Sequence, residues 1–482
     1  MPSTDSAPRR HGPPRSARAL PLRLLPLAFA LALACGKAGN RPAAPSTELH
    51  YPAWLATTET EGLKDLLFAV NLDQDLAYDN GSLVSLAAAP AGTSAGPFLS
   101  TLLAPVPNMA GKLLVVDDAS AGACAALPAL DGRLPLALVA GRTEEALLAI
   151  PLRDPAQQTR HGLVTDGASH PYGLGLSCSA DGKTLRAWVG YQAGVNGVGY
   201  LSRVDLATGN RVTVNLGAGR ARNLAYDPDH DRLYVTTQEV RGRAPIRWLT
   251  VGQGCIQADN GVQDERDGGC HVDPGFDLSL HLAGAEPNGI ALSSGTTACT
   301  LGTYKGQQCR RMYLTLRMYD ADRERLLGER PPTDVGGKLV VLELPESGLG
   351  GPDPQWVRGL DMGMTAGELL VLPRTGRPDL VVATALEDDL VWVYDDETGT
   401  MAKVFGRDVN TGVPELGHYP AGLAAQALPD GLTTRVFVSS YHDGWVSAID
   451  VPLDAPETAY VVHEGGDPKD TTKPVLHLGN KP

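Results

Sequence analysis

Five residues hold the same place in a phrase that returns along this chain: His170, Arg220, Glu286, Met364 and Tyr419, with His418 beside the last. Each stands at the entrance of a glycine-anchored apolar segment. The fullest copies are His170-Pro171-Tyr172-Gly173-Leu174-Gly175-Leu176, Glu286-Pro287-Asn288-Gly289-Ile290-Ala291 and Tyr419-Pro420-Ala421-Gly422-Leu423-Ala424. If the segments converge on one axis, these side chains form a ring suited to a polar ligand. Arg220 would anchor an anion, Glu286 or His170 would move a proton, and His418 and Tyr419 would complete the contact. The plainer reading is a wet, polar entrance with no ligand at all. No residue is assigned as catalytic.

A second set follows the next strands of the same units: Gln192, Gln238, Glu239, Glu387, Asp388, Asp389, Tyr441, His442 and Asp443. It reads as an acidic rim, able to meet a basic partner or a cation, or as solvated loop charge. Asp227-Pro228-Asp229-His230-Asp231 looks like a calcium loop, but it lacks the turn glycine and the distal bidentate acid and runs straight into a strand. The histidines show no i,i+4 pair and no HExxH, so no metal and no cofactor is expected. There is no phosphate-binding glycine loop and no GxSxG elbow.

The elements that must carry these residues are short strands. After each entrance segment comes a turn such as Asp181-Gly182 or Asp430-Gly431, then a second apolar strand such as Leu185-Arg186-Ala187-Trp188-Val189 or Arg435-Val436-Phe437-Val438-Ser439-Ser440. About seven such units can be counted, spaced unevenly near 50 residues. They centre on 66–86, 112–150, 170–216, 220–251, 286–344, 380–395 and 419–452, with long insertions at 252–285, 296–310 and 320–337. Periodic four-strand units predict radial repetition: an all-β, single seven-bladed β-propeller with four-stranded antiparallel blades and loop insertions. Closing such a ring removes open sheet edges, and residues near 50–58 or Val475-Leu476-His477-Leu478 are expected to complete a blade shared by both termini.

Composition agrees. Of 482 residues 43% are apolar but only 5% aromatic, while Gly (55) and Pro (37) are abundant, which suits many turns better than helical bundles. The net charge of −14 becomes −18 once the basic segment before Cys35 is set aside, leaving 36 basic against 54 acidic residues. So acidic a body repels phosphate backbones, and nucleic acid is excluded as an expected partner.

Residues 1–34 have the order of an export signal: arginines 9, 10, 15, 18 and 23, an apolar run from Leu20, then Leu31-Ala32-Leu33-Ala34-Cys35-Gly36. The run is too short to span a bilayer comfortably. The end resembles a bacterial lipoprotein signal, which implies lipidation of Cys35, although Ala32 stands where that family favours Leu. An ordinary cleavage after Ala34 is the alternative. Residues 35–49 read as a flexible tether and 50–482 as the propeller. Gly36, rather than Asp, resembles outer-membrane sorting, so an outer-membrane lipoprotein facing the periplasm or the outside is expected. Six further cysteines suit an oxidising compartment. Local pairing favours Cys255–Cys270 and Cys299–Cys309, leaving Cys124–Cys178, one choice among 15 connectivities.

The segments Val436-Phe437-Val438-Ser439-Ser440 and Gly444-Trp445-Val446-Ser447-Ala448-Ile449-Asp450 resemble the YVTN-type β-propeller repeat. Leu233-Tyr234-Val235-Thr236-Thr237 and Leu380-Val381-Val382-Ala383-Thr384 are similar to it. The resemblance covers 170–452 and implies a seven-bladed propeller of the kind seen in lactonase-like and surface-layer-associated proteins. It carries fold more than activity. The expectation is therefore a lipid-anchored, monomeric envelope propeller. It would bind a small polar ligand or an envelope protein without catalysis and touch the membrane through its lipid alone. A lactonase-like small-molecule hydrolase using the entrance ring is the alternative, and a quinone- or metal-dependent dehydrogenase a more distant one.

Overall fold

In a computed structural model, the repeated phrase folds as the two inner strands of a four-stranded antiparallel sheet, and there are seven such sheets. The structure describes residues 49–74, 77–88, 101–125, 127, 130, 132–163, 168–179, 182–194, 198–238, 245–250, 262–263, 272–319, 334–345, 354–407, 412–463, 475 and 477–479. The sheets, here blades 1 to 7, occupy 52–106, 113–162, 168–218, 220–277, 285–363, 366–405 and 420–479. In each, the four main strands follow one another in sequence from the inside out, and the outer edge of blade 3 carries in addition Val262–Gln263, which pairs in parallel with Arg211–Ala218. The innermost strands are Pro52–Ala56, Leu113–Val116, Ala168–Cys178, Arg220–Asp227, Ala285–Ala298, Ala366–Leu372 and Pro420–Ala427.

The apolar runs of the middle strands explain the ring. Leu136–Gly141, Leu380–Ala385 and Thr433–Ser440 are buried along nearly their whole length, because each blade is covered on both faces by its neighbours. Seven apolar clusters result among the described residues, one at each seam. The seam between blades 7 and 1 buries Phe437, Val446 and Leu478 against Leu55, Leu67 and Val84. Full burial of one such side chain is worth about 1.5–3 kcal/mol. Outer strands such as Thr400–Phe405 lie open on one side and are mostly polar or half-exposed.

Two expectations need correction. No blade is shared between the termini. Pro52–Ala56 opens blade 1, whereas His477–Gly479 pairs with Trp445–Pro452 and so extends blade 7, beside Tyr460–Val461 on the same edge. Apart from the Val262–Gln263 edge strand of blade 3, each blade is a contiguous segment, and the ring closes mainly by side-chain packing. The insertion at 296–310 is also no loose loop. Thr296–Ala298 pairs with Gln308–Arg310, prolonging the blade 5 hairpin beyond the disc, and the Cys299–Cys309 disulfide ties its tip. The Cys124–Cys178 disulfide is formed as well, with Cα atoms 5.7 Å apart. Cys255–Cys270, Cys35 and residues 1–48 lie outside the described residues.

Candidate functional site at the channel mouth

Entry to the inner strands follows one device. Tyr51, Gly219, Gly284, Thr365 and Tyr419 each precede an inner strand with positive φ, and His170 does so inside its own strand. The left-handed turn swings the chain from the rim into the channel. It costs about 1–2 kcal/mol at a non-glycine residue, so it must be held in place. The residue after the second strand does part of this. Leu72, Leu386 and Tyr441 donate their N–H to the carbonyls of Tyr51, Thr365 and Tyr419. Carboxylates of the rim do the rest. Asp389 accepts the Tyr419 N–H at 2.8 Å, Asp388 the Met364 N–H at 2.7 Å and Asp443 the His418 N–H at 2.5 Å. These rim acids are therefore engaged in holding the entry turns, and Asp389 also pairs with Arg407.

Just past the entrance, the register shifts by one residue in six of the inner strands: a β-bulge. Second-strand hydroxyls fill the bulge. Thr236 Oγ1 accepts from the Asn223 N–H and Ser439 Oγ from the Gly422 N–H. This explains the small polar residues that end the repeated phrase. Its glycines are explained too. A Cβ on Gly173 would overlap the Arg222 carbonyl of blade 4, and one on Gly422 would overlap the Ala53 carbonyl of blade 1. The bare backbone there lets adjacent inner strands close up around the axis.

The bulge also decides which side chains face the channel. Tyr172 and Arg222 project there, two residues beyond His170 and Arg220. Arg222 pairs with Glu286, joining blades 4 and 5. Lys112 of blade 2 pairs at 2.8 Å with Glu368 of blade 6, so this ion pair crosses the channel. Trp54 of blade 1 meets Tyr172 of blade 3 edge to face, with ring centroids 5.5 Å apart. Lys112 lies over Trp54 and Arg142 over Tyr172, each 5.9 Å from the ring centre. Asn223 donates to the Asn288 carbonyl, and Asn288 in turn to that of Ala366. The channel is thus crossed and partly filled by side chains.

Electrostatics mark the same group. Burial pushes the Tyr172 hydroxyl well above its usual range, and the charge of Glu368 adds to the rise despite Arg222 and Arg142. Burial also lowers the proton affinity of Arg142, opposed by Tyr172 and reinforced by Arg222. Arg142 makes no hydrogen bond or ion pair with the described residues, and its Nε is buried without an acceptor.

Beside this plug lies a cup of about 280 Å³ on the seam of blades 7 and 1. Trp54, Leu72, Gln74, Leu386, Tyr419, Tyr441 and His442 line it. Tyr419 stands 5.8 Å from Tyr441 and 4.9 Å from His442 between ring centroids, and Tyr51 lies behind Tyr441 at 5.2 Å. In a chain only 5% aromatic, this concentration is a feature of the site.

The entrance ring read from the sequence is therefore dispersed. Tyr419 lines the cup, Glu286 is buried against Arg222, and His418 is exposed beside Asp443 at 3.2 Å. His170 is exposed at the rim and Arg220 half-buried, and neither touches the other ring members. Missed were Trp54, Lys112, Arg142, Tyr172, Arg222 and Glu368. Reading two positions beyond the entrance residue would have found Tyr172 and Arg222. Nothing in the local sequence announces Lys112–Glu368.

A larger cavity, about 490 Å³, opens at the other end of the blade 5–6 seam, lined by Ser293, Ser294, Thr297, Tyr313, Arg374 and Asp379 among others. Its carboxylates are committed. Asp379 accepts from Ser294 N and Oγ at 2.7 Å each, and Asp396 accepts from Tyr313 and Tyr394 at 3.1 and 3.0 Å. Among the described residues no His, Cys, Asp and Glu side chains cluster as metal ligands would.

No family model and no curated protein matches this chain. Solved structures do. A chain of Kuenenia stuttgartiensis hydrazine synthase is similar over 86% of this chain and 99% of its own, at 11% identity and a TM-score of 0.50. A Dos1 propeller covers 85% of this chain and 84% of its own at 12% identity, with a TM-score of 0.44. Apo AztD from Citrobacter koseri covers 84% and 87% at 10% identity, with a TM-score of 0.39. At such identities the likeness extends to fold and no further.

Proposed function

We propose that this chain is an exported, lipid-anchored envelope propeller that binds a small polar ligand or another envelope protein at its channel mouth and does not transform it. One observation carries the reading. The charged groups that proton transfer would need are engaged in holding the ring, as Arg222–Glu286, Lys112–Glu368 and the rim carboxylates on the entry turns. The aromatic cup beside them stays open. A site with spent acids and free rings is built to hold rather than to react. Export is supported by the two disulfides and by the signal-like N-terminus. Among the described residues no helix is long and apolar enough to cross a membrane.

Intact-mass analysis of the protein from envelopes, with Cys35→Ser as control, tests the anchor: the expected result is an acylated N-terminal Cys35 and release on substitution. Crosslinked pulldown and equilibrium binding test the rest. Turnover of lactones or sugar-acid esters that disappears in Arg220→Ala/Glu286→Ala while folding persists would replace the binding reading with hydrolysis.

A further inference from the structure

We infer that the ligand of the channel mouth is a monocarboxylate bearing a single ring, its carboxylate on Arg142 and its ring in the aromatic cup. The inference rests on the binding reading above and names the ligand class. Three cations gather around Tyr172 and Trp54: Lys112, Arg142 and Arg222. Among the described residues two carboxylates pair with them, Glu368 and Glu286, leaving a surplus of one positive charge in this group. Arg142 is the cation left over. It is half-buried, makes no hydrogen bond or ion pair with the described residues, and keeps Nε buried without an acceptor. The buried Nε of this guanidinium lacks an acceptor, and a carboxylate matches its fork in a bidentate way. The Tyr172 hydroxyl likewise has no hydrogen-bond partner among the described residues, and as a phenol it can donate to the same anion. One surplus charge fits a monoanion better than a dianionic phosphate.

The body of the ligand follows from the cup. Tyr441 lines it and lies within the field of Arg142, while Trp54 links it to Tyr172. Among the described residues no carboxylate lines it, and Lys112 lies over its wall residue Trp54, which disfavours an organic cation. A cavity of about 150 Å³ suffices for a benzene ring, so the cup takes one ring and its substituent. Rings stack on its aromatic walls at offset or edge-on angles.

The test is calorimetric titration of the full chain with benzoate, cyclohexanecarboxylate, benzamide, acetate and inorganic phosphate. The expected result is saturable binding of the two ring carboxylates, about tenfold or more tighter than benzamide or acetate. Arg142→Met should erase that preference, Arg142→Lys should keep part of it, and Trp54→Ala should weaken ring carboxylates while leaving the order of acids over amide. Melting curves verify that each variant is folded. Equal binding of benzamide and benzoate overturns the proposal, as does preference for phosphate, indifference to Arg142→Met, or no saturation below about 10 mM. If the protein captures an envelope partner yet ignores the carboxylates, binding survives and this inference falls.

Discussion

Arg435 and Arg142 sit at opposite ends of second strands, and the ring treats them differently. Arg435 begins its strand in blade 7, is 2% exposed, and grips Asp450 through Nε and Nη2 at 2.8 and 2.9 Å. The same arrangement recurs where Arg311 pairs with Glu343 and Arg374 with Asp395. Each cation there has a carboxylate from a neighbouring strand or turn. Arg142 follows the end of its strand in blade 2, where the channel opens, and has an aromatic face beneath it but, among the described residues, no carboxylate. A fold that pairs its buried arginines so consistently at one end leaves this one open at the other. The contrast separates charge that holds blades together from charge kept available.

Substitutions sharpen the contrast in graded steps. Arg435→Met should be the most damaging, costing about 3–5 kcal/mol in denaturant unfolding, because it strands Asp450 in the core. Adding Asp450→Leu should restore much of that loss, and failure to do so would mean that the pair matters for more than charge balance. Gly422→Ala comes next, at about 1–3 kcal/mol from overpacking, since its methyl group meets the Ala53 carbonyl across the seam. Arg142→Met should change stability least, within about 0.5 kcal/mol or towards greater stability, because it removes a desolvated cation that lacks a partner. A large loss on Arg142→Met would place this residue with Arg435 and erase the distinction.

The seven units could be read from sequence because the middle strands are apolar on both faces, so runs such as Leu380–Ala385 and Leu136–Gly141 stand out. The Cys299–Cys309 disulfide was legible from local cysteine spacing, and Cys124–Cys178 as the pair that local pairing leaves over. The channel lining was not. Alternation along the strand places His170 and Arg220 at the axis, but the bulge that follows them shifts the phase and sends Tyr172 and Arg222 inward instead. Lys112 and Glu368 are 256 residues apart and meet only because the ring has closed. The rim acids read as free loop charge for a similar reason: their partners are backbone N–H groups, which sequence does not display.

The seam between the last and first blades gives this protein the form of a split washer. Among the described residues no strand crosses the split, and apolar side chains with a few hydrogen bonds, such as Thr57 to the Ala425 carbonyl, keep it shut. The aromatic cup straddles that gap, drawing Trp54, Leu72 and Gln74 from one lip and Tyr419, Tyr441 and His442 from the other. Whatever occupies it acts as a clasp. Occupancy and resistance to unfolding must then rise together by mass action, making heat tolerance a direct gauge of whether the clasp is fastened.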